Sequence, residues 1–128
     1  MFVKKLERGI RLCINYYLFN IIIKKDRYLI LLIKETMANI AGYKIITKLN
    51  IRKAFNKIRI ITLKDKDLLT FCTPLNNYKP KVLQFGPTNS LATFQRFINN
   101  TLFDYLNVFC TAYINNILIY SQSQEEYT

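Results

Sequence analysis

The stretch that most limits how this chain can fold runs from Phe109 to Ser121, Phe-Cys-Thr-Ala-Tyr-Ile-Asn-Asn-Ile-Leu-Ile-Tyr-Ser. Two runs rich in aromatic and branched apolar residues flank Asn115 and Asn116. Asn tolerates the positive backbone angles that a two-residue hairpin turn demands, so a tight β-hairpin with the Asn pair at its tip is expected. For an isolated hairpin, turn chemistry alone accounts for both Asn residues.

The 128 residues suffice for one modest core and are too few for two ordinary domains. Half of them are hydrophobic, with nine Tyr and nine Phe, as in a folded globular segment and not a disordered tail. A net charge of +11 suits a polyanionic partner, nucleic acid before a membrane surface. Loss of carboxylates by mutation makes a chain equally basic without selection for any partner. Cys13, Cys72 and Cys110 are widely spaced and His is absent, which excludes zinc fingers, His-based acid–base chemistry and a Cys–His nucleophile. Free thiols in a reducing compartment are expected. Met1 to Ile23 places basic residues before an apolar run, but Asn15 and Asn20 interrupt that run and no small-residue cleavage site follows. No apolar run reaches the roughly 18 residues of a membrane span, so an intracellular chain is expected.

Local patterns fill in the remaining elements. Ile10 to Ile14 alternates as a strand does. Lys34 to Ala41 has helical spacing, with Gly42 as its C-terminal stop. Lys44 to Ile60 reads as a strand ending at Asn50, a short turn of helix and another strand. Leu68 to Thr73 predicts a strand and Asn76-Asn77 a turn. Leu91, Phe94, Ile98, Leu102, Tyr105 and Phe109 recur at three- and four-residue steps, predicting a helix of roughly four to five turns.

Three motifs carry a family resemblance. Tyr113 to Ser121 resembles the polymerase hairpin of reverse transcriptases, Tyr-x-Asp-Asp followed by an apolar strand, in the form found in gypsy-type long-terminal-repeat retroelements. Lys44 to Ile60 is similar to that family's Phe-Thr-Lys-Leu-Asp-Leu-Arg-Asp-Ala-Tyr-His-Gln-Ile-Arg-Ile. Phe85 to Arg96 is similar to Phe-Gly-Leu-Thr-Asn-Ala-Pro-Ala-Thr-Phe-Gln-Arg. Asn15 to Asn20 resembles the fingers strand Asp-Tyr-Arg-Gly-Leu-Asn, and Lys25 to Ile33 a segment whose two prolines are here Leu29 and Leu31. The likeness runs from about Lys4 to Tyr127, with the motifs in family order.

The resemblance implies an α+β palm-and-fingers fragment, an antiparallel sheet with helices packed on one face. Its fingers would be residues 1–45 and about 64–87, and its palm residues 46–63 and 88–128. It implies two magnesium ions, primer-template as partner, no membrane, and a polyprotein remainder of thumb, connection and ribonuclease H lying outside these residues. Arg11 falls on an arginine that contacts the nucleotide triphosphate, Lys4 and Lys5 lie where the family keeps basic residues for the same phosphates, and Arg8 is a candidate for nucleic-acid phosphates. Lys48 and Arg52 are further candidates for nucleic-acid phosphates. Phe55 matches an aromatic that packs on the sugar, or is a core Phe. Phe85 and Gly86 border the nucleotide.

The three metal-binding aspartates correspond to Asn50, Asn115 and Asn116, and Lys53 replaces another Asp. A unit charge 4 Å from a divalent cation is worth about 8 kcal/mol at an effective dielectric of 20. A net loss of even ~5 kcal/mol slows a reaction roughly 4,000-fold. No bound metal and no catalysis are therefore expected. Asp to Asn at 15, 50, 115 and 116, Pro to Leu at 29, 31 and 91, Ala to Thr at 70 and Arg to Cys at 72 each fit a C-to-T change on one DNA strand. Decay by mutation of that bias is the expectation. Gln84, Pro87 and Ser90 do not follow it.

Overall fold

A computed structural model describes residues 2–4, 10–28 and 33–127. In chain order it contains strands β1 (Phe2–Lys4) and β2 (Ile10–Leu12), helices α1 (Tyr17–Ile22) and α2 (Ile33–Ile40), strand β3 (Ile45–Asn50) and a 3-10 turn at Phe55–Lys57. Helix α3 (Leu63–Leu68), strands β4 (Phe71–Cys72) and β5 (Asn77–Tyr78), helix α4 (Ser90–Thr101), strands β6 (Cys110–Tyr113) and β7 (Asn116–Ser121), and helix α5 (Gln124–Tyr127) follow. The elements divide between two compact units, residues 1–26 with 55–90, and residues 27–54 with 91–128. No helix among the described residues is long and apolar enough to cross a membrane.

In the first unit, β1 and β2 pair antiparallel, with Val3 opposite Arg11. The segment expected as a fingers strand is instead α1. Asn15 Oδ1 accepts from the Tyr17 N–H at 2.9 Å, a local bond of the kind that starts a helical turn. Tyr16 is buried and donates its hydroxyl to the Leu69 carbonyl at 3.0 Å. Asn20 donates to the Gly86 carbonyl and accepts from the Thr88 N–H, while Asn89 donates to the Lys24 carbonyl and accepts from the Asp26 N–H. Two side-chain amides thus tie segments more than 60 residues apart. The outer face of α1, Tyr17, Leu18, Ile21 and Ile22, is exposed.

The strand expected to reach Ile60 is reduced to a bridge between Arg59 and Val82, with Leu83 N–H on the Ile58 carbonyl and Ile60 N–H on the Lys81 carbonyl. Beyond it Thr62 caps α3, accepting from the Asp65 N–H and donating to the Asp65 carboxylate. That helix takes Leu68 out of the expected strand, leaving Phe71 and Cys72 to pair with Tyr78 and Asn77. The turn sits earlier than Asn76-Asn77: the Thr73 hydroxyl accepts from the Leu75 and Asn76 N–H groups, and Asn77 already belongs to β5.

The second unit is built on an antiparallel sheet of order β3-β7-β6. Helix α2 packs on β6 and α5 on β7. Gly42, at φ +117°, ends α2 as its position suggested. Ile40, Phe94, Ile98, Cys110, Ala112 and Tyr120 are buried in this unit. Burying a side chain such as Phe94 stabilises by about 2–3 kcal/mol. Helix α4 stops at Thr101, short of the expected Phe109. The Thr101 hydroxyl bonds back to the Phe97 carbonyl, and Asn107 at φ +63° turns the chain so that its N–H meets the Cys110 carbonyl. Residues 29–32, which include Leu29 and Leu31, lie outside the described residues.

Candidate catalytic site

β3 and the β6–β7 hairpin converge on one end of the second unit's sheet. Asn50 closes β3 directly opposite Asn116, the first residue of β7, and Asn116 in turn pairs with Tyr113. The Ile51 N–H donates to the Asn115 carbonyl at 2.8 Å, locking the strand end to the turn. These pairings place Asn50, Asn115 and Asn116 together, as their motif positions predict.

The turn itself is framed differently from the expectation. Its two residues are Ile114 and Asn115, and Asn116 is a strand residue. The positive backbone angle falls on Ile114, at φ +52°. A β-branched residue there is strained by about 1–3 kcal/mol and persists only where its surroundings fix it. Gln95 of α4 supplies that constraint. It is 1% exposed, accepts from the Ile114 N–H at 2.7 Å, and donates to the Ala112 carbonyl at 3.0 Å and to Asn99 Oδ1 at 2.9 Å. Asn99 donates onward to the Tyr28 hydroxyl, whose ring lies 4.8 Å from the Arg96 guanidinium. Gln95 was not singled out from the sequence. Its signal is a buried amide beside Phe94 on the helix face that packs inward.

The three amides bond to one another. Asn116 Nδ2 donates to Asn115 Oδ1 at 3.5 Å, and Asn115 Nδ2 donates to Asn50 Oδ1 at 3.2 Å. Three carboxylates could form no such chain, because an ionised carboxylate only accepts. Magnesium, which the reverse transcriptase resemblance implies, does not fit this donor set. It is a hard cation held by charged oxygens, whereas each amide offers one neutral carbonyl, and those of Asn50 and Asn115 already accept from a neighbouring side-chain N–H. Among the described residues no group of three or more His, Cys, Asp or Glu could hold a metal ion.

Lys48 lies two residues before Asn50 on the same face of β3 and is exposed. Arg52 and Lys53 follow in the turn, both exposed, with Lys53 at φ +53°. In the first unit Phe55 is buried, its ring centroid 4.5 Å from that of Phe85 in an edge-on contact. Gly86 adopts φ +125°, and a Cβ there would lie 2.8 Å from Tyr16 Cδ2. Lys4 and Arg11 stand on β1 and β2, while Lys5 and Arg8 lie outside the described residues.

A sequence profile described as reverse transcriptase (RNA-dependent DNA polymerase) matches residues 3–128. The chain belongs to the reverse transcriptase family. An RNA-directed DNA polymerase homolog of Oenothera berteroana is 31% identical over 116 residues, which cover 91% of this chain and 81% of that protein. The Transposon Tf2-7 polyprotein of Schizosaccharomyces pombe is 34% identical over 127 residues, 99% of this chain and 10% of the polyprotein. This reverse transcriptase chain thus spans about a tenth of the transposon polyproteins that it matches. The prototype foamy virus protease-reverse transcriptase superposes with a TM-score of 0.78 at 22% identity, over 98% of this chain and 17% of the viral one. The foamy viral protein solved in complex with RNA/DNA hybrid gives a TM-score of 0.81 at 17% identity, over 98% and 16% of the two chains. These structures share the α+β fold that the motifs implied.

Proposed function

We propose that this reverse transcriptase domain, of gypsy type and comprising the fingers and palm ranges given above, is catalytically silent. The observation that carries the reading is the amide chain linking Asn50, Asn115 and Asn116 at the positions where the family motifs have aspartate. Phosphoryl transfer with two metal ions needs a symmetric clamp of charged oxygens on the attacking and leaving groups. Three neutral side chains supply none of that charge. Incubation with primer-template, deoxynucleotides and magnesium or manganese gives no extension; robust extension overturns the reading.

A second reading is favoured by the exposed bases around the site. Lys48 and Arg52, with Lys4, Lys5, Arg8 and Arg11 elsewhere, would bind nucleic-acid phosphates without chemistry; the foamy viral protein, which this chain resembles in fold, was solved in complex with RNA/DNA hybrid. Affinity for primer-template falling steeply with salt supports it, and salt-independent or absent binding removes it.

A further inference from the structure

The hydrogen-bond chain at the site has a direction. It runs from Asn116 to Asn115 to Asn50, and among the described residues the Nδ2 group of Asn50 has no acceptor. Each donor in such a chain polarises the next, so the last N–H₂ is the one most in need of a negative partner. Asn50 is exposed and open to one.

The charge on the segments that carry that group has a single sign. The sequence has no Asp or Glu between Glu35 and Asp65, and none between Asp104 and Glu125, so both segments that build the site lack carboxylates. Lys44, Lys48, Arg52 and Lys53 are the ionised groups of β3 and its flanks. A divalent cation approaching Asn50 meets cations and an outward-facing donor. An anion meets a donor and an attractive field.

We infer that this end of the sheet is an oxyanion site: the Asn50 amide, with Lys48 and Arg52, binds phosphate oxygens directly and without a bridging metal. The inference rests on the reading of the site as catalytically silent, and it reverses the sign of the ion that the family motif implies. The ligand class is a phosphate-rich anion, either a free polyphosphate or the backbone of a nucleic acid.

The test uses the whole chain, labelled with ¹⁵N and titrated with inorganic pyrophosphate in EDTA, with side-chain amide signals as readout. Saturable shifts of the Asn50 and Asn115 amides are expected. Added magnesium should weaken binding at least threefold, because it neutralises the ligand and finds no site of its own. Asn50→Asp keeps the oxygen that accepts from Asn115, so its melting temperature should hold while pyrophosphate affinity falls about tenfold. Arg52→Gln, which leaves every bond of the amide chain in place, should lower affinity about threefold. A single-stranded oligonucleotide in the same assay separates the sources. Saturation by pyrophosphate assigns free polyphosphate, and an Asn50-dependent response to the oligonucleotide alone assigns nucleic-acid phosphates. No saturable binding of either probe in EDTA, binding strengthened by magnesium, or equal affinities for the parent chain and Asn50→Asp overturns the inference. Primer extension on the same preparation keeps the two readings apart. Extension removes catalytic silence, whereas absent extension with absent anion binding removes only the oxyanion site.

Discussion

Replacing Gln95 by Leu tests whether the hairpin is held from outside its own strands. The substitution nearly conserves volume and removes three hydrogen bonds: one accepted from the Ile114 N–H and two donated, to the Ala112 carbonyl and to Asn99. Asn99 keeps its bond to Tyr28 and lies near solvent, so its loss is small. The Ala112 carbonyl, on a residue 2% exposed, and the partly buried Ile114 N–H each lose a partner. An unpaired buried group costs about 1–3 kcal/mol. Relaxation of the Ile114 backbone returns part of this, leaving an expected loss of about 3 kcal/mol. Urea denaturation should show that loss at an unchanged m-value, with a melting temperature lower by about 10 °C. In the Gln95→Leu background, Ile114→Gly should recover about 1 kcal/mol, because Gly adopts a positive φ without strain. A loss below about 1 kcal/mol, or no recovery on adding Ile114→Gly, refutes the assignment of the clamp to Gln95.

Burial raises the Tyr16 and Tyr120 phenols above their ordinary 10.0, with the Tyr43 and Cys110 neighbours adding to the shift at Tyr120, and raises the Cys110 thiol above 9.0. These groups hold their protons more tightly folded than unfolded, so their contribution is complete below the unfolded values and is lost as pH rises through the folded ones. The urea midpoint should therefore fall above about pH 9, less steeply in Tyr16→Phe and Tyr120→Phe; a midpoint flat to roughly pH 11 contradicts this. Gly86→Ala places a Cβ 2.8 Å from Tyr16 Cδ2 and 3.1 Å from the Ile14 carbonyl at φ +125°, and should cost more than about 2 kcal/mol by the same measurement. A neutral Gly86→Ala means that the loop is not packed on Tyr16. Asn20→Ala, which removes the bonds to Gly86 and Thr88, should cost about 1–2 kcal/mol, and no change in urea midpoint means that these bonds do not hold the loop.

The sheet of the second unit was legible in the sequence because its strands are runs of branched and aromatic residues and β3 ends where the motif places Asn50. The frame of the turn was not. Asn favours positive φ, which pointed to Asn115-Asn116, but the frame is decided by the Tyr113–Asn116 register and by Gln95, a residue 19 positions before the N–H it holds. The end of α4 was hidden for a similar reason. Leu102, Tyr105 and Phe109 keep helical spacing, while the break comes from the Thr101 hydroxyl and the backbone at Asn107. Helix α1 was obscured because its outer face is wholly apolar while the polar Asn20 lies on the inner one, which inverts the amphipathic signal. Helix α3 carried a readable signature, Thr62-Leu63-Lys64-Asp65, that its weak hydrophobic pattern masked.

The linked side chains at 50, 115 and 116 also limit what single substitutions can do. Aspartate placed at 115 or 116 alone deletes a donor from the chain and adds a single negative charge, so the substitution sacrifices cohesion and supplies no cation clamp. At 50 the cohesion survives, yet a lone carboxylate still falls short of holding two ions. Charge and cohesion are thus traded against each other at this site: the full set of three carboxylates supplies the charge of a two-ion clamp, and it does so without any hydrogen bond among the three side chains.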